Sequence, residues 1–204
     1  MRRVVGVLAL LGLALALPMA AWADPINLIN EFGYLSVSAS GITVTRPSEL
    51  ISFDGISGPK SQSLGTVVFG TGALESGTLS GGGTFSSTGS YFDIKGNGNY
   101  GVHKGNIFTG EFVGAITWTL TSPPGQKNLT YTLSGEIEGM LYTGRTVTGY
   151  TTQNVFSTTA QLGKGIGHLN GGKTSLSPEP GTLGLLGTGL VGIAGIFRRR
   201  KAAR

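Results

Sequence analysis

Apolar and polar residues alternate with a period of two along the middle of the chain. In 106–121 one parity holds mainly large apolar residues and glycine, and the other holds mainly threonine and glutamate. The segment 128–143 repeats this pattern, and the turn-forming sequence 122–125 with two prolines separates the two. Since alternate side chains of a strand point to opposite faces, both segments are predicted as β-strands with one apolar face. Proline cannot continue a strand ladder, so a hairpin is predicted.

A specific register follows from matching the two apolar faces. If residues whose numbers sum to 249 are opposite, Trp118 faces Tyr131 and Gly110 faces Gly139. Apolar then meets apolar and glycine meets glycine along the hairpin, which a one-residue slip would destroy.

Shorter alternating segments, bounded by glycine-rich turns, fill the rest of 24–162. Regular spacing of short strands is typical of a sandwich or a barrel. We therefore predict an all-β, antiparallel body at 24–162 that is either a β-sandwich or a barrel. The segment 163–177 has no apolar period and is predicted as a flexible stalk. The shorter strand candidates are 33–38, 42–46, 50–53, 64–69, 84–87, 90–95 and 145–150.

Residues 1–23 have the pattern of a secretory signal peptide. Arg2 and Arg3 precede a 14-residue apolar run, and small residues stand at Ala21 and Ala23 before Asp24. Fourteen residues form about 21 Å of helix, too short to span a bilayer core of about 30 Å. We expect a signal helix that signal peptidase removes after Ala23.

The C-terminal end has the pattern of a membrane helix with a cytoplasmic anchor. The segment 181–197 contains 17 residues without a charge, and a basic end, 198–204, follows directly. This length is at the lower limit for a spanning helix. Basic residues remain on the cytoplasmic side, so the helix is predicted to run from outside to inside. An ordinary anchor without further processing is the alternative.

Pro178, Glu179 and Pro180 stand immediately before this apolar segment. Pro-Glu-Pro, a short apolar helix and an arginine-rich end together resemble the PEP-CTERM sorting domain, over residues 177–204. The resemblance implies recognition by exosortase, a membrane enzyme that removes the tail. It implies that Pro178, Glu179 and Pro180 form the sorting motif and that Arg198, Arg199 and Arg200 form the retention signal. It implies a protein anchored by its C-terminal helix before processing and located afterwards at the cell surface or outside.

The distribution of charge and the absence of cysteine exclude several functions for the body. The formal net charge is +5, but seven of the fifteen basic residues lie in the two ends, and 24–197 holds eight basic and ten acidic residues, a net of −2. The body has no basic patch for phosphate, so no nucleic-acid partner is expected. Cysteine is absent, which excludes disulfides, thiolate metal sites and a cysteine nucleophile.

The body shows no catalytic or cofactor-binding motif. Gly96, Gly98 and Gly101 match a dinucleotide-binding spacing, but a β pattern follows them instead of the required helix. His103 and His168 lack a second ligand at metal-binding spacing. We therefore expect neither an enzyme nor a bound cofactor.

Three carboxylates of the body are candidates for metal binding or catalysis. In the register above Glu111 lies opposite Glu138, with Glu136 on the same face. Like charges opposite each other are unfavourable unless they are solvated or bind a cation such as Ca²⁺. A glycosidase-like carboxylate pair is a further alternative.

Three functions remain open for the body. The leading one is a non-enzymatic exported protein of the cell envelope or biofilm matrix. The second is an extracellular carbohydrate-binding module, with extracellular polysaccharide as a partner and Tyr91, Tyr100, Tyr142 and Tyr150 stacking on sugars. The third is a secreted hydrolase that uses Glu111, Glu136 and Glu138.

Overall fold

The computed structural model describes residues 24–59, 62–123 and 126–178. These residues form an all-β body, as predicted.

Two short helices lie among the strands of this body. One is a 3-10 turn at Asn99–Gly101. The other is α1 (Thr159–Leu162), whose N-cap residue Thr158 forms a capping box with Gln161. The thirteen strands within the described ranges are β1 (Ile26–Glu31), β2 (Gly33–Ser38), β3 (Gly41–Arg46), β4 (Ser48–Phe53), β5 (Ile56–Ser57), β6 (Gly65–Gly70), β7 (Leu74–Thr78), β8 (Gly82–Phe85), β9 (Tyr91–Asn97), β10 (Lys104–Leu120), β11 (Asn128–Leu141), β12 (Thr146–Thr158) and β13 (Ile166–Pro178).

Eight strands close into an antiparallel barrel. From β13 the pairing runs through β1, β4, β6, β9, β10, β11 and β12, and β12 pairs with β13 again. Closure pairs both edges of every strand in the ring over at least part of its length, which is how a barrel avoids exposed sheet edges. Of the two predicted architectures, the barrel is the one observed.

Two hairpins outside the ring, β2–β3 and β7–β8, pair with the ring strands β13 and β10, which change partners along their length. The first part of β13 pairs with β2, and the remainder pairs with β1. The first part of β10 pairs with β9, and 116–118 pair with β8, which carries β7 at its edge. The β7–β8 hairpin therefore extends from β10, and the β2–β3 hairpin connects β13 to β6, with Thr43 of β3 opposite Gly70.

The predicted stalk at 163–177 is wrong, because 166–178 form β13 and close the barrel. The body therefore extends to Pro178 instead of ending at 162. The sequence shows no alternation of apolar and polar residues here, because glycine and threonine occupy several of the interior positions of this strand. Gly167, Gly172 and Thr174 are buried beside Leu169 and Leu176.

The predicted hairpin register is correct in its first half and wrong in its second. Pairs from Phe108 with Leu141 to Val113 with Glu136 obey the predicted sum, including Gly110 opposite Gly139. A bulge between Val113 and Thr117 then shifts the pairing by two residues, so that Trp118 faces Leu133 and not Tyr131. A shift of two residues keeps every side chain on its predicted face. The apolar face is accordingly buried.

The barrel interior is filled mainly by aromatic and branched side chains. Trp118 and Tyr131, although not directly opposite, stack with ring centroids 4.4 Å apart and an interplanar angle of 6°. The Trp118 indole donates to the Leu79 carbonyl, and the Tyr131 hydroxyl donates to the Ser80 carbonyl. The turn between β7 and β8 therefore satisfies the polar atoms of both buried rings. Burial also raises the pKa of Tyr131.

Among the described residues, no helix is both long enough and apolar enough to cross a membrane. The predicted signal helix at 1–23 and the predicted membrane helix at 181–197 lie outside the described residues.

Candidate functional site

The sorting motif begins on the last residue of the barrel. Pro178 is buried at the end of β13, where it lies opposite Val147 of β12. A proline at the end of a strand destabilises the sheet little, because no backbone hydrogen bond of the ladder requires an N–H at that position. The other predicted sorting, retention and cleavage residues lie outside the described residues; they are Ala21, Ala23, Glu179, Pro180, Arg198, Arg199 and Arg200.

The three predicted carboxylates lie in the predicted register. Glu111 lies opposite Glu138, and Glu136 lies two residues along the same face of β11, opposite Val113. All three glutamates are exposed on the outer face. Glu111 and Glu138 line a shallow depression of about 370 Å³ beside Gly110 and Gly139. In the part of the chain that the structure describes, no three His, Asp or Glu side chains form a group that would hold a metal ion.

The four predicted sugar-stacking tyrosines are engaged separately. The Tyr142 ring stacks on His103 at 4.1 Å, and the Tyr100 hydroxyl donates to the Gln62 side chain. Tyr150 lies opposite Glu136 on the outer face of β12. Tyr91 is half-buried, and burial, followed by the nearby Asp93 carboxylate, raises its pKa.

A different aromatic surface forms where three neighbouring strands are interrupted. Phe32 separates β1 from β2 with a φ of 54°, a left-handed conformation that is rare for a bulky residue. Pro47 separates β3 from β4 and lacks the N–H that a ladder requires. On β13 the pairing with β12 shifts beside Asn170, between Gly171 and Leu169. These three interruptions lie together on one side of the barrel.

A row of side chains crosses this region on the outer face. In strand register, Phe156 of β12 lies opposite His168 of β13, His168 opposite Tyr34 of β2, and Tyr34 opposite Arg46 of β3. The His168 and Tyr34 rings meet edge to face at 4.7 Å, and the Arg46 guanidinium carbon lies 5.7 Å from the Tyr34 ring centroid. We call the following set the break surface: Phe32, Tyr34, Arg46, Glu49, Phe156 and His168.

Phe32 stands between two depressions of this surface. One, of about 580 Å³, is lined by the break surface together with Asn170. The other, of about 570 Å³, lies on the β1–β4 side and shares Phe32 and Glu49, with Ile29 and Glu31 in its wall. Both volumes fall within the range of small-molecule sites, roughly 300–1,000 Å³.

A buried polar network supports the break surface from the barrel interior. The Asn30 amide nitrogen donates to Ser48 Oγ at 2.7 Å and to Gln153 Oε1 at 2.9 Å. Gln153 in turn donates to Thr151 Oγ1 at 2.8 Å, and the Thr151 and Thr174 hydroxyls share a hydrogen bond of 2.8 Å. This network joins β1, β4, β12 and β13 beneath the interrupted ladders, and satisfied buried networks of this kind rigidify a core.

Sequence reasoning missed the break surface and the polar network. Each brings residues of the N-terminal segment 30–49 together with residues of β12 and β13 more than 100 positions later in the chain, so spacing does not show their proximity. The signals that were present are local: an apolar residue, Phe32, immediately before Gly33, and a proline, Pro47, between two alternating segments.

Comparison with known proteins identifies the tail. The model of the PEP-CTERM protein-sorting motif matches residues 178–201. No curated protein matches the chain, and no solved structure matches the body. The chain therefore carries a PEP-CTERM sorting motif, which marks an exported protein sorted by an exosortase system and is itself not catalytic.

Proposed function

We propose that this protein is a non-enzymatic component of the cell envelope or biofilm matrix. The supporting observation is the contiguity of two parts: the sorting motif starts at Pro178, the residue at which the barrel ends. An exosortase-like enzyme that cuts after this point would release an intact barrel. Glu111, Glu136 and Glu138 are exposed on the outer face of β10 and β11, as expected for solvated side chains.

The proposal includes processing at both ends. Signal peptidase cuts after Ala23, the Pro-Glu-Pro motif presents the second cleavage site, and Arg198, Arg199 and Arg200 hold the tail end in the cytoplasm until that cut. The chain is thus membrane-anchored before processing and reaches the cell surface or the matrix afterwards.

The test compares sorting-motif variants in a host that has the sorting enzyme. Since Pro178 is a buried strand residue, we would change only Glu179→Ala and Pro180→Ala together, with the exposed Ser177→Ala as the matched control. The double variant should remain membrane-bound and untrimmed, and the control should be trimmed like the wild type. Membrane fractionation, gel mobility and mass spectrometry of both termini give the result. Equal trimming of the double variant and the wild type would refute the proposal.

Carbohydrate binding is the second candidate function of the body. The observation that favours it is an exposed aromatic, Phe32, held at the rim of two adjoining depressions. None of the four tyrosines predicted for this role lines either depression, and Tyr34, which lines the first, is not among the predicted ones.

A further inference from the structure

We propose that the break surface binds a linear, uncharged polysaccharide, with its pyranose rings stacked on Phe32 and Tyr34. The inference rests on the proposed extracellular placement of the body, and it adds the site and the ligand class.

Phe32 is held exposed at a conformational cost that packing does not explain. Its side chain is 61% exposed, although a phenylalanine normally gains stability by burial. Its backbone lies at a φ of 54°, a region that glycine occupies without strain. Strained residues of this kind are concentrated at ligand-binding sites, where the surrounding structure enforces them. The backbone around Phe32 is held by β4: Ser48 Oγ donates to the Glu31 carbonyl at 3.0 Å, and the Glu49 N–H donates to the Phe32 carbonyl at 3.3 Å.

The chemistry of the surface matches a sugar ring. A pyranose has a face of C–H groups, which pack on the electron-rich face of an aromatic ring, and a rim of hydroxyls, which need hydrogen-bond partners. Phe32 and Tyr34 are the exposed rings. Arg46, Glu49 and Asn170 line the same depression and supply donors and acceptors for the hydroxyls.

The two depressions favour a polymer over a single sugar. The two depressions share Phe32 and Glu49 as a common wall, so consecutive rings of one chain would occupy both. An extended ligand fits this arrangement better than a compact one, which would fill only one depression.

The charged side chains of the two depressions favour an uncharged polymer over an anionic one. Among the described residues that line the two depressions, Arg46 is opposed by Glu31 and Glu49, so one positive and two negative side chains give a formal charge of −1 with histidine neutral. A polyanion such as a uronic acid polymer would meet repulsion here.

The experiment measures binding of the full-length chain, purified in detergent, to a panel of soluble polysaccharides. The neutral members are dextran, a mixed-linkage β-glucan, galactomannan and xylan, and alginate is the anionic member. We would compare the wild type with Phe32→Gly, Tyr34→Ala and the matched control Tyr150→Ala, which removes an exposed tyrosine outside the break surface. Affinity electrophoresis and calorimetry measure the dissociation constants, and thermal unfolding checks the fold.

The expected result is binding to at least one neutral polymer and none to alginate. Phe32→Gly should weaken binding at least about tenfold, a loss typical of a central aromatic contact. Its unfolding midpoint should stay the same or rise, because glycine relieves the backbone strain. Tyr150→Ala should bind like the wild type.

Three results would overturn the inference: binding to no neutral polymer, preference for alginate, or unchanged affinity of a folded Phe32→Gly. If the protein nevertheless reaches the cell surface and is trimmed, the proposed function stands and only this inference fails. If sorting fails while the purified protein still binds a neutral polymer through Phe32, the proposed function fails and the site remains.

Discussion

Single residues determine the inside of this barrel as much as the apolar pattern does. Gly172 is buried on β13 directly against the Gln153 side chain, and a Cβ at this position would overlap the Gln153 amide oxygen. Gln153 is fully buried and fixed by hydrogen bonds to Asn30 and Thr151. Glycine is thus required at residue 172 because a polar side chain occupies the space a methyl group would need.

We expect Gly172→Ala to lower the free energy of unfolding by about 1–3 kcal/mol, because the added methyl group displaces Gln153 from its network. Gln153→Ala should also destabilise the protein. In the double variant the overlap with Gln153 is gone and only the close contact with Asn30 Oδ1 remains, so its loss should be smaller than the sum of the single losses by about 0.5–3 kcal/mol. Urea unfolding of the four proteins measures the cycle. Additive losses would show that the Gln153 contact does not set the requirement for glycine.

For single residues, the sequence predicted which apolar side chains of β10 and β11 point into the barrel, but not that polar side chains also lie inside it. The apolar parity of β10 and β11 correctly placed Phe112, Ile116 and Leu133 inside. Thr151 and Gln153 are inside as well, and polar residue types normally indicate an outward position. Only the hydrogen bonds from other strands make their burial possible, and sequence spacing does not reveal those partners.

At the scale of elements, the bulge in β10 sets the pairing of the long hairpin. Gly114, Ala115 and Ile116 together face Gly135, so two extra residues are accommodated without moving the apolar face. Gly114 has a φ of 71°, and a Cβ there would meet no atom within 4 Å. Its requirement for glycine is therefore conformational and not steric. Directly after the bulge, β10 pairs with β8, so the bend redirects the strand towards a new partner.

We expect Gly114→Ala to destabilise the protein by about 1–2 kcal/mol, the cost of a left-handed conformation for a residue with a Cβ. Gly171→Ala is the matched control: its nearest neighbour would be at 3.8 Å and its φ is not in the left-handed region. Alanine there should be neutral or stabilising, by up to about 1 kcal/mol, because it restricts the unfolded chain. Thermal and urea unfolding of both variants measure the difference. Equal effects would mean that the bulge imposes no conformational cost.

The errors in predicting elements have one physical origin. Glycine accounts for 36 of 204 residues, and it is compatible with a bulge, a crowded interior position or a mobile coil. Gly114 is the first case and Gly172 is the second, and the local sequence around them does not distinguish the two. The register after residue 113 and the strand at 166–178 were therefore not predictable, because what distinguishes these cases is contact with distant strands.

At the scale of the whole molecule, β13 should separate a tolerated truncation from a destructive one. A chain of residues 24–178 keeps every described strand, so we expect the same cooperative unfolding midpoint as for the body of the longer protein. A chain of residues 24–165 lacks β13, which leaves β1, β2 and β12 without their common partner, and it should not fold. Far-UV circular dichroism during thermal unfolding measures both. A cooperative transition in the shorter chain would contradict the role assigned to β13.

The sorting tail was predictable from sequence because it depends on order and composition alone. Pro-Glu-Pro, an apolar segment and a basic end are adjacent in the chain, and the match to residues 178–201 confirms the motif. The break surface was not predictable, because it exists only after β2, β12 and β13 have come together.

The pairing of the first strand with the last also governs when this protein is able to fold. Ile26 pairs with Leu176, which lies 150 residues later (176 − 26), so ring closure must wait for nearly the entire body. Contacts of such long sequence separation form slowly, since the intervening chain loses its freedom before they are made. During export the N-terminal strands emerge first and find no partner for closure. The ring therefore closes only once β13 is available, and β13 ends at Pro178, where the sorting motif begins.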